Sequence, residues 1–99
     1  MIDLLPAQLE LVSGILAAHL PGREIKVFGS RADKGRAKPF SDLDLCLMNG
    51  AVSLADMARL ADAFSESALP FKVDIVVWHD LTPAFRAAIA ADLTPLHPR

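Results

Sequence analysis

The segment from Val27 to Leu47 constrains the fold of this 99-residue chain more than any other. Its residues predict a strand that stops at the Gly29-Ser30 turn, then a short basic loop, then a second strand from Asp42 to Met48. Because the loop is too short to contain a crossover helix, the two strands are predicted to pair antiparallel. On the second strand, leucines alternate with Asp42 and Asp44, so one face is apolar and the other carries two carboxylates.

Three helices, a third strand and an edge strand are predicted around this hairpin. The helices are expected to begin at caps on Asp3, on Ser53 and on Thr82 or Asp80, and Pro21-Gly22 ends the first of them. The strands run from Glu24 to Phe28, from Asp42 to Met48 and from Phe71 to Trp78, with an edge strand from Thr94 to Leu96 and a frayed end over residues 97–99. The residues expected to face the core are Leu5, Leu9, Val12 and Leu16; Leu43, Leu45 and Leu47; Leu54, Met57, Ala61, Phe64 and Ala68; and Phe85, Ala88 and Ile89.

This order of elements predicts an α/β (α+β) fold. The second and third strands are joined through a helix and are expected to lie side by side in parallel. The sheet is therefore predicted to be small and mixed, with the helices mainly on one face. Residues 1–99 are expected to form a single domain of common size.

Composition and charge argue against several classes of protein. The formal net charge is −2 and the isoelectric point is about 5.8, which does not suit a chain whose main task is to bind nucleic acid directly. Cys46 is the only cysteine, so no internal disulfide can form and a reducing compartment fits. A signal peptide is not predicted, because residues 1–14 carry Asp3 and Glu10 and have no basic region before an apolar run, and a membrane span is not predicted, because no apolar run reaches roughly 18 residues. We therefore expect a cytoplasmic protein.

A third acid, Asp74, lies between Val73 and Ile75 on the third strand. If the second and third strands are neighbours, Asp42, Asp44 and Asp74 can converge at one end of the sheet. Carboxylates this close repel each other, and protons or a metal ion must relieve the repulsion. Mg²⁺ fits best, because it takes oxygen ligands and shares phosphate oxygens, and two such ions can hold attacking and leaving oxygens in line.

The Gly29-Ser30 turn is the second half of the predicted site. A turn of this kind offers backbone N–H groups and a hydroxyl group to a phosphate chain. Arg31, with the three further basic residues of the loop, can neutralise phosphate charge. Gly29, Ser30 and Arg31 are therefore the candidate nucleotide-binding residues.

The motifs F-G-S-R-A, S-D-L-D-L and V-D-I-V resemble those of the minimal nucleotidyltransferases of the DNA polymerase β superfamily, and especially the MNT-type antitoxins encoded beside HEPN-domain toxins. The resemblance implies a palm-like fold in which Gly29 and Ser30 hold the triphosphate and Asp42 and Asp44 ligate two Mg²⁺ ions. It implies that Asp74 ligates the catalytic ion and helps to deprotonate the acceptor hydroxyl. It further implies ATP as donor and transfer of AMP to a tyrosine of a HEPN RNase toxin, in a hetero-oligomer that silences the toxin. Eleven residues separate Ser30 from Asp42, one more than is usual in the family.

The residues leave other interpretations open. Asp42 could cap the loop, Asp44 could be an edge-strand charge, and Asp74 could pair with Lys72. A chain that keeps the fold without catalysis would neutralise its toxin by binding alone. A transferase acting on a small molecule is a further alternative. Cys46 is interpreted as a small buried residue rather than a reactive one.

Overall fold

The computed structural model describes residues 2–96. In chain order the elements are α1 (Pro6–His19), β1 (Ile25–Phe28), a 3₁₀ turn (Gly29–Ala32), β2 (Leu43–Leu47), α2 (Leu54–Ser65), β3 (Val73–Val77), a second 3₁₀ turn (Trp78–Asp80), α3 (Pro83–Ile89) and β4 (Thr94–Pro95). All the predicted helices and strands are present, and the strands lie within two residues of the expected bounds, but α2 ends at Ser65, before Ala68, which the predicted helix included. The predicted frayed end, residues 97–99, lies outside the described residues. Within residues 2–96, no helix is long and apolar enough to cross a membrane.

The four strands form one mixed sheet in the order β3-β2-β1-β4. β1 pairs antiparallel with β2 and with β4, whereas β2 and β3 are parallel. Both predicted pairings are therefore confirmed, and so is the mixed α/β fold. The parallel pair has a consequence for the site, because β2 and β3 begin at the same edge of the sheet.

The core lies between one face of the sheet and the first two helices. Leu43, Leu45 and Leu47 are fully buried, as predicted, and pack in one cluster with Val12 and Leu16 of α1 and with Leu60 and Phe64 of α2. Two of the three helices therefore cover this face, in agreement with the expectation that the helices lie mainly on one face. Burial of this cluster supplies most of the favourable free energy of folding.

The third helix packs against the opposite face of the sheet. The ring of Phe85 in α3 meets the ring of Phe28 edge-on, with centroids 6.3 Å apart. Arg86 lies over the ring of Trp78 and its Nε donates to the Trp78 carbonyl at 3.0 Å. Since Phe28 alternates with the buried Val27, α3 lies on the face that also carries Asp44 and Cys46. Cys46 is fully buried, as expected.

The predicted cap of α1 is wrong. The N-cap is Leu5, and its backbone N–H donates to the Gln8 side chain at 3.0 Å. Asp3 lies too far from the helix, because its backbone is held by Arg31: the Asp3 N–H donates to the Arg31 carbonyl at 2.8 Å. The caps predicted for the other helices are confirmed, with Ser53 accepting from Asp56 N–H and Thr82 from Phe85 N–H.

Several residues predicted to face the core are exposed. Leu5 is 65% exposed because it precedes the first helical turn, and Leu54 is 88% exposed because α2 turns Leu60 and Phe64 inwards instead. Ala61, Ala68 and Ala88 are also exposed, as is Phe85 in part. The spacing of the apolar residues identified each helix correctly. It did not predict which face of the helix packs on the sheet, because alanine side chains are small and give little hydrophobic contrast between faces.

Candidate active site

Two carboxylates face each other across the parallel strand pair. Asp44 on β2 is in direct register with Asp74 on β3, and Asp44 is also paired with Phe28 at the end of β1. Asp42 lies just before β2 and is exposed, while Asp44 and Asp74 are partly buried. The structure therefore brings Asp42, Asp44 and Asp74 to one edge of the sheet, where β2 and β3 begin and β1 ends.

The charges at this edge act on one another. Burial raises the pKa of Asp44, and the neighbouring charges of Asp74 and then Asp42 raise the pKa further. All three causes disfavour the ionised form, as expected for a carboxylate among like charges. Lys72 partly offsets the negative charge, because its Nζ lies 3.6 Å from Asp74 Oδ1, although most of its side chain is exposed. The Asp74–Lys72 pair considered from the sequence is thus present.

Gly29 packs directly against Asp44. Its φ is +75°, in the left-handed region that favours glycine. A Cβ atom built on Gly29 would overlap the Asp44 carboxylate and lie 3.4 Å from its Cγ. The backbone of the Gly29–Ala32 turn can approach the carboxylates only because this residue has no side chain. The longer loop between Ser30 and Asp42 leaves this contact intact.

Ser30 follows Gly29 in the same turn and is partly buried. The turn contacts β2 as well as β1, and Ser30 is the next residue in the chain after Gly29, which packs against Asp44. The structure therefore brings together Gly29, Asp42, Asp44 and Asp74, with Ser30 next to Gly29 in the chain, and the sequence singled these residues out from three separate segments.

Arg31 does not join this group in the way the sequence suggested. It is 5% exposed, and its guanidinium donates to the carbonyls of Asp3, Lys38, Pro39 and Ser41 at 2.8–3.2 Å. These bonds direct its donors into the loop rather than towards the carboxylates. The other basic side chains of the loop are exposed, and Arg36 Nη1 pairs with Asp92 at 3.4 Å.

The carboxylates are suitable ligands for Mg²⁺, although their side chains are not arranged as a ready-made metal site. As the side chains stand, no group of three or more His, Cys, Asp or Glu residues within 2–96 is arranged to hold a metal ion. Asp44 and Asp74 nevertheless supply oxygen donors in register on adjacent strands, and the pKa of Asp44 is raised first by burial and then by the charges of Asp74 and Asp42, which a cation would offset. Mg²⁺ usually binds to one or two carboxylates, waters and phosphate oxygens, so this donor set fits it.

The fold and these residues match a known family. The family model described as Polymerase beta, Nucleotidyltransferase matches residues 14–97, which include every candidate site residue. The chain belongs to this nucleotidyltransferase family. The matched region begins within α1 and extends beyond β4, so it contains the whole sheet.

Two relatives show how closely this nucleotidyltransferase follows its family. A protein of Haemophilus influenzae named "Probable protein adenylyltransferase MntA" is 38% identical over 89 residues, which are 89% of this chain and 77% of the relative. A solved structure described as a minimal nucleotidyltransferase superposes with a TM-score of 0.67 at 38% identity and covers 91% of this chain and 90% of its own. The predicted nucleotidyltransferase fold and enzyme class are thereby confirmed.

The role of Arg31 in holding the loop could not be found from the sequence. Its carbonyl partners lie 7 to 28 residues away along the chain. No local motif links an arginine after a Gly-Ser turn to such distant acceptors. By contrast, the carboxylates follow strand alternation, which is a local pattern, and the sequence therefore identified them.

Proposed function

We propose that this nucleotidyltransferase transfers AMP from ATP to the hydroxyl group of a tyrosine in a partner HEPN-domain RNase toxin, and so acts as the antitoxin. The observation that carries the proposal is the packing of Gly29 against Asp44, with Asp74 in register on the next strand. A relative that is 38% identical is named as a protein adenylyltransferase, which supports a protein as acceptor. The two proteins would form a hetero-oligomer in the cytoplasm, without direct nucleic-acid binding.

Each residue of the edge has a role in this proposal. Gly29 and Ser30 bind the triphosphate through backbone N–H groups and a hydroxyl. Asp42, Asp44 and Asp74 would hold Mg²⁺, two ions in all, which would neutralise phosphate charge when bound. Asp74 accepts the proton of the acceptor hydroxyl. The hydroxyl oxygen forms a bond to the α-phosphorus, and the bond to the leaving pyrophosphate breaks.

The proposal is tested by incubating the chain with α-labelled ATP, Mg²⁺ and the HEPN protein encoded beside it. Label is expected on the partner, and an Asp42→Asn, Asp44→Asn variant is expected to transfer none. Asp62→Asn is the control, because Asp62 is an exposed acid on α2. Transfer that persists in the double variant would rule out the carboxylate mechanism.

A second candidate function is neutralisation by binding alone. It is favoured by a groove of about 410 Å³ whose lining includes Leu5 and Phe40 beside charged and polar residues. Phe40 is 74% exposed, which is unusual for a large aromatic side chain with no partner to cover it. In this case the partner would be neutralised equally well without ATP and by the double aspartate variant. The same incubation, followed by an assay of the partner's RNase activity, separates the two functions.

A further inference from the structure

Arg31 is the one buried residue with a polar or charged side chain among residues 2–96. Its guanidinium has five N–H donors, and they serve four backbone carbonyls. Nε donates to Ser41 at 2.8 Å and Nη1 to Asp3 at 2.9 Å, while Nη2 donates to Pro39 at 3.0 Å and to Lys38 at 3.2 Å. Burying a guanidinium removes it from water at a large cost in free energy, and these charge-assisted hydrogen bonds compensate for that cost.

The contacts of Arg31 reach every segment that carries a candidate site residue. Its own backbone follows Gly29 and Ser30 directly. Ser41, which accepts from Nε, precedes Asp42 at the start of β2. The ring of Phe71 lies under the guanidinium at 4.1 Å, three residues before Asp74. Arg31 therefore belongs to the turn through its backbone, and its planar group contacts the segment before β2 and the segment before β3.

We infer that Arg31 is a positioning residue, whose guanidinium fixes the Gly-Ser turn relative to the starts of β2 and β3. This inference rests on the proposed function for its effect on turnover, although the placement of the segments can be measured without turnover. Lysine cannot replace the group, because an ammonium has no planar fork to span four carbonyls and no flat face to lie on Phe71.

A positioning role makes a prediction that differs from the nucleotide contact expected from the sequence. The N–H groups of Arg31 donate to carbonyls of the loop. Replacing Arg31 should therefore displace the carboxylates without removing a hydrogen bond to ATP. Displacement of reacting groups by about 1 Å can lower the rate about a hundredfold. We therefore expect Arg31→Lys to lower kcat about tenfold to a hundredfold, with KM for ATP changed by less than about twofold.

Arg23 provides a matched control. Its guanidinium also donates to four carbonyls, those of Met48, Asn49, Gly50 and Ala51, at the opposite end of β2. Arg23→Lys therefore removes a comparable set of bonds from a loop that carries no site residue. We expect it to lower the urea midpoint as Arg31→Lys does but to leave kcat within about twofold of the wild type.

The two variants are compared by partner adenylylation kinetics and by ¹H–¹⁵N spectra of the free proteins. Arg31→Lys should shift the amide signals of residues 29–30, 41–44 and 72–74, whereas Arg23→Lys should leave these signals in place. An equal fall in kcat for both variants, or a selective rise of KM for ATP in Arg31→Lys, would overturn the inference. Unchanged amide signals would also overturn it, even if the wild type shows no transfer and the proposed function fails.

A second pair of variants tests the inference if Arg31→Lys does not fold. Phe71→Leu removes the ring beneath the guanidinium, and Phe64→Leu makes the same change at a core position on α2. Only Phe71→Leu should shift the amide signals of residues 41–44. Equal shifts at these residues in both variants would show that general loss of packing, not the guanidinium contact, moves them.

Discussion

At Gly29, two separate constraints act on the same Cα atom. The backbone has a left-handed φ of +75°, and the space that a side chain would need is filled by the Asp44 carboxylate. Gly22 has nearly the same φ, +77°, but no atom lies within 4 Å of its Cβ position. The two glycines therefore separate the conformational requirement from the requirement for close approach to the site.

Alanine substitutions at these glycines should destabilise the protein alike but differ in activity. We expect Gly22→Ala and Gly29→Ala each to lower the free energy of unfolding by about 1 kcal/mol, because alanine is strained at positive φ. Only Gly29→Ala should lower adenylyl transfer, by about tenfold or more, because the added methyl group turns the Asp44 carboxylate aside. Urea denaturation and transfer kinetics give both values. Equal activity of the two variants would mean that Gly29 serves the backbone alone.

The raised pKa of Asp44 predicts a pH dependence of stability. Between the ordinary pKa of an aspartate and the raised pKa of the folded state, the native protein binds the proton more tightly than the unfolded chain. The free energy of unfolding therefore falls as the pH rises through this window, and the penalty is complete above it. Asp44→Asn should consequently be more stable than the wild type at pH 7, and this difference should disappear in acid. Urea titrations at several pH values measure it. Asp62→Asn should show no such gain.

At the scale of elements, three arginines hold three connections. Arg31 holds the loop before β2, Arg23 the turn after β2, and Arg86 the turn after β3 through the Trp78 and His79 carbonyls. Each places a planar donor group among the backbone carbonyls of a connecting segment. Sequence patterns predicted the strands and their pairing because alternation and connection length are local. They did not predict the arginine contacts, since those depend on residues that only the fold brings near.

The caps give a direct test of the helix assignments. Ser53→Ala should lower the free energy of unfolding by about 1 kcal/mol, because its hydroxyl accepts from the Asp56 N–H at 3.1 Å. Asp3→Ala should change it by less than about 0.5 kcal/mol, since Arg31 uses only the backbone of Asp3. Thermal or urea denaturation distinguishes the two. A large loss in Asp3→Ala would mean that its carboxylate does bind the start of α1.

Considered as a whole, the molecule concentrates its site at one end of the sheet and leaves apolar groups exposed beside it. The groove lined by Leu5 and Phe40 is also lined by Pro70, which precedes β3, so it adjoins the edge where the carboxylates lie. The sequence predicted this edge through Asp42, Asp44 and Asp74. It did not predict the exposure of Leu5, because periodicity placed that residue in the core.

Phe40 should contribute to partner binding and not to folding. Phe40→Ala is expected to leave the free energy of unfolding within about 0.5 kcal/mol, because the side chain is already 74% exposed. It should weaken binding of the proposed HEPN partner about tenfold, as truncation of an exposed aromatic anchor commonly does. Leu54→Ala is the control, since Leu54 is 88% exposed on α2. Titration calorimetry measures both. Equal affinities would place the partner on another surface.

The parallel pairing of β2 with β3 affects the order in which the site can form during folding. Gly29 and Asp44 meet within a hairpin, so their contact can form early from a short loop. Asp74 reaches Asp44 only after the intervening segment with α2 has crossed over the sheet. Such contacts between distant parts of a chain have a high contact order and form late. The contact between Gly29 and Asp44 can therefore form before Asp74 completes the carboxylate edge.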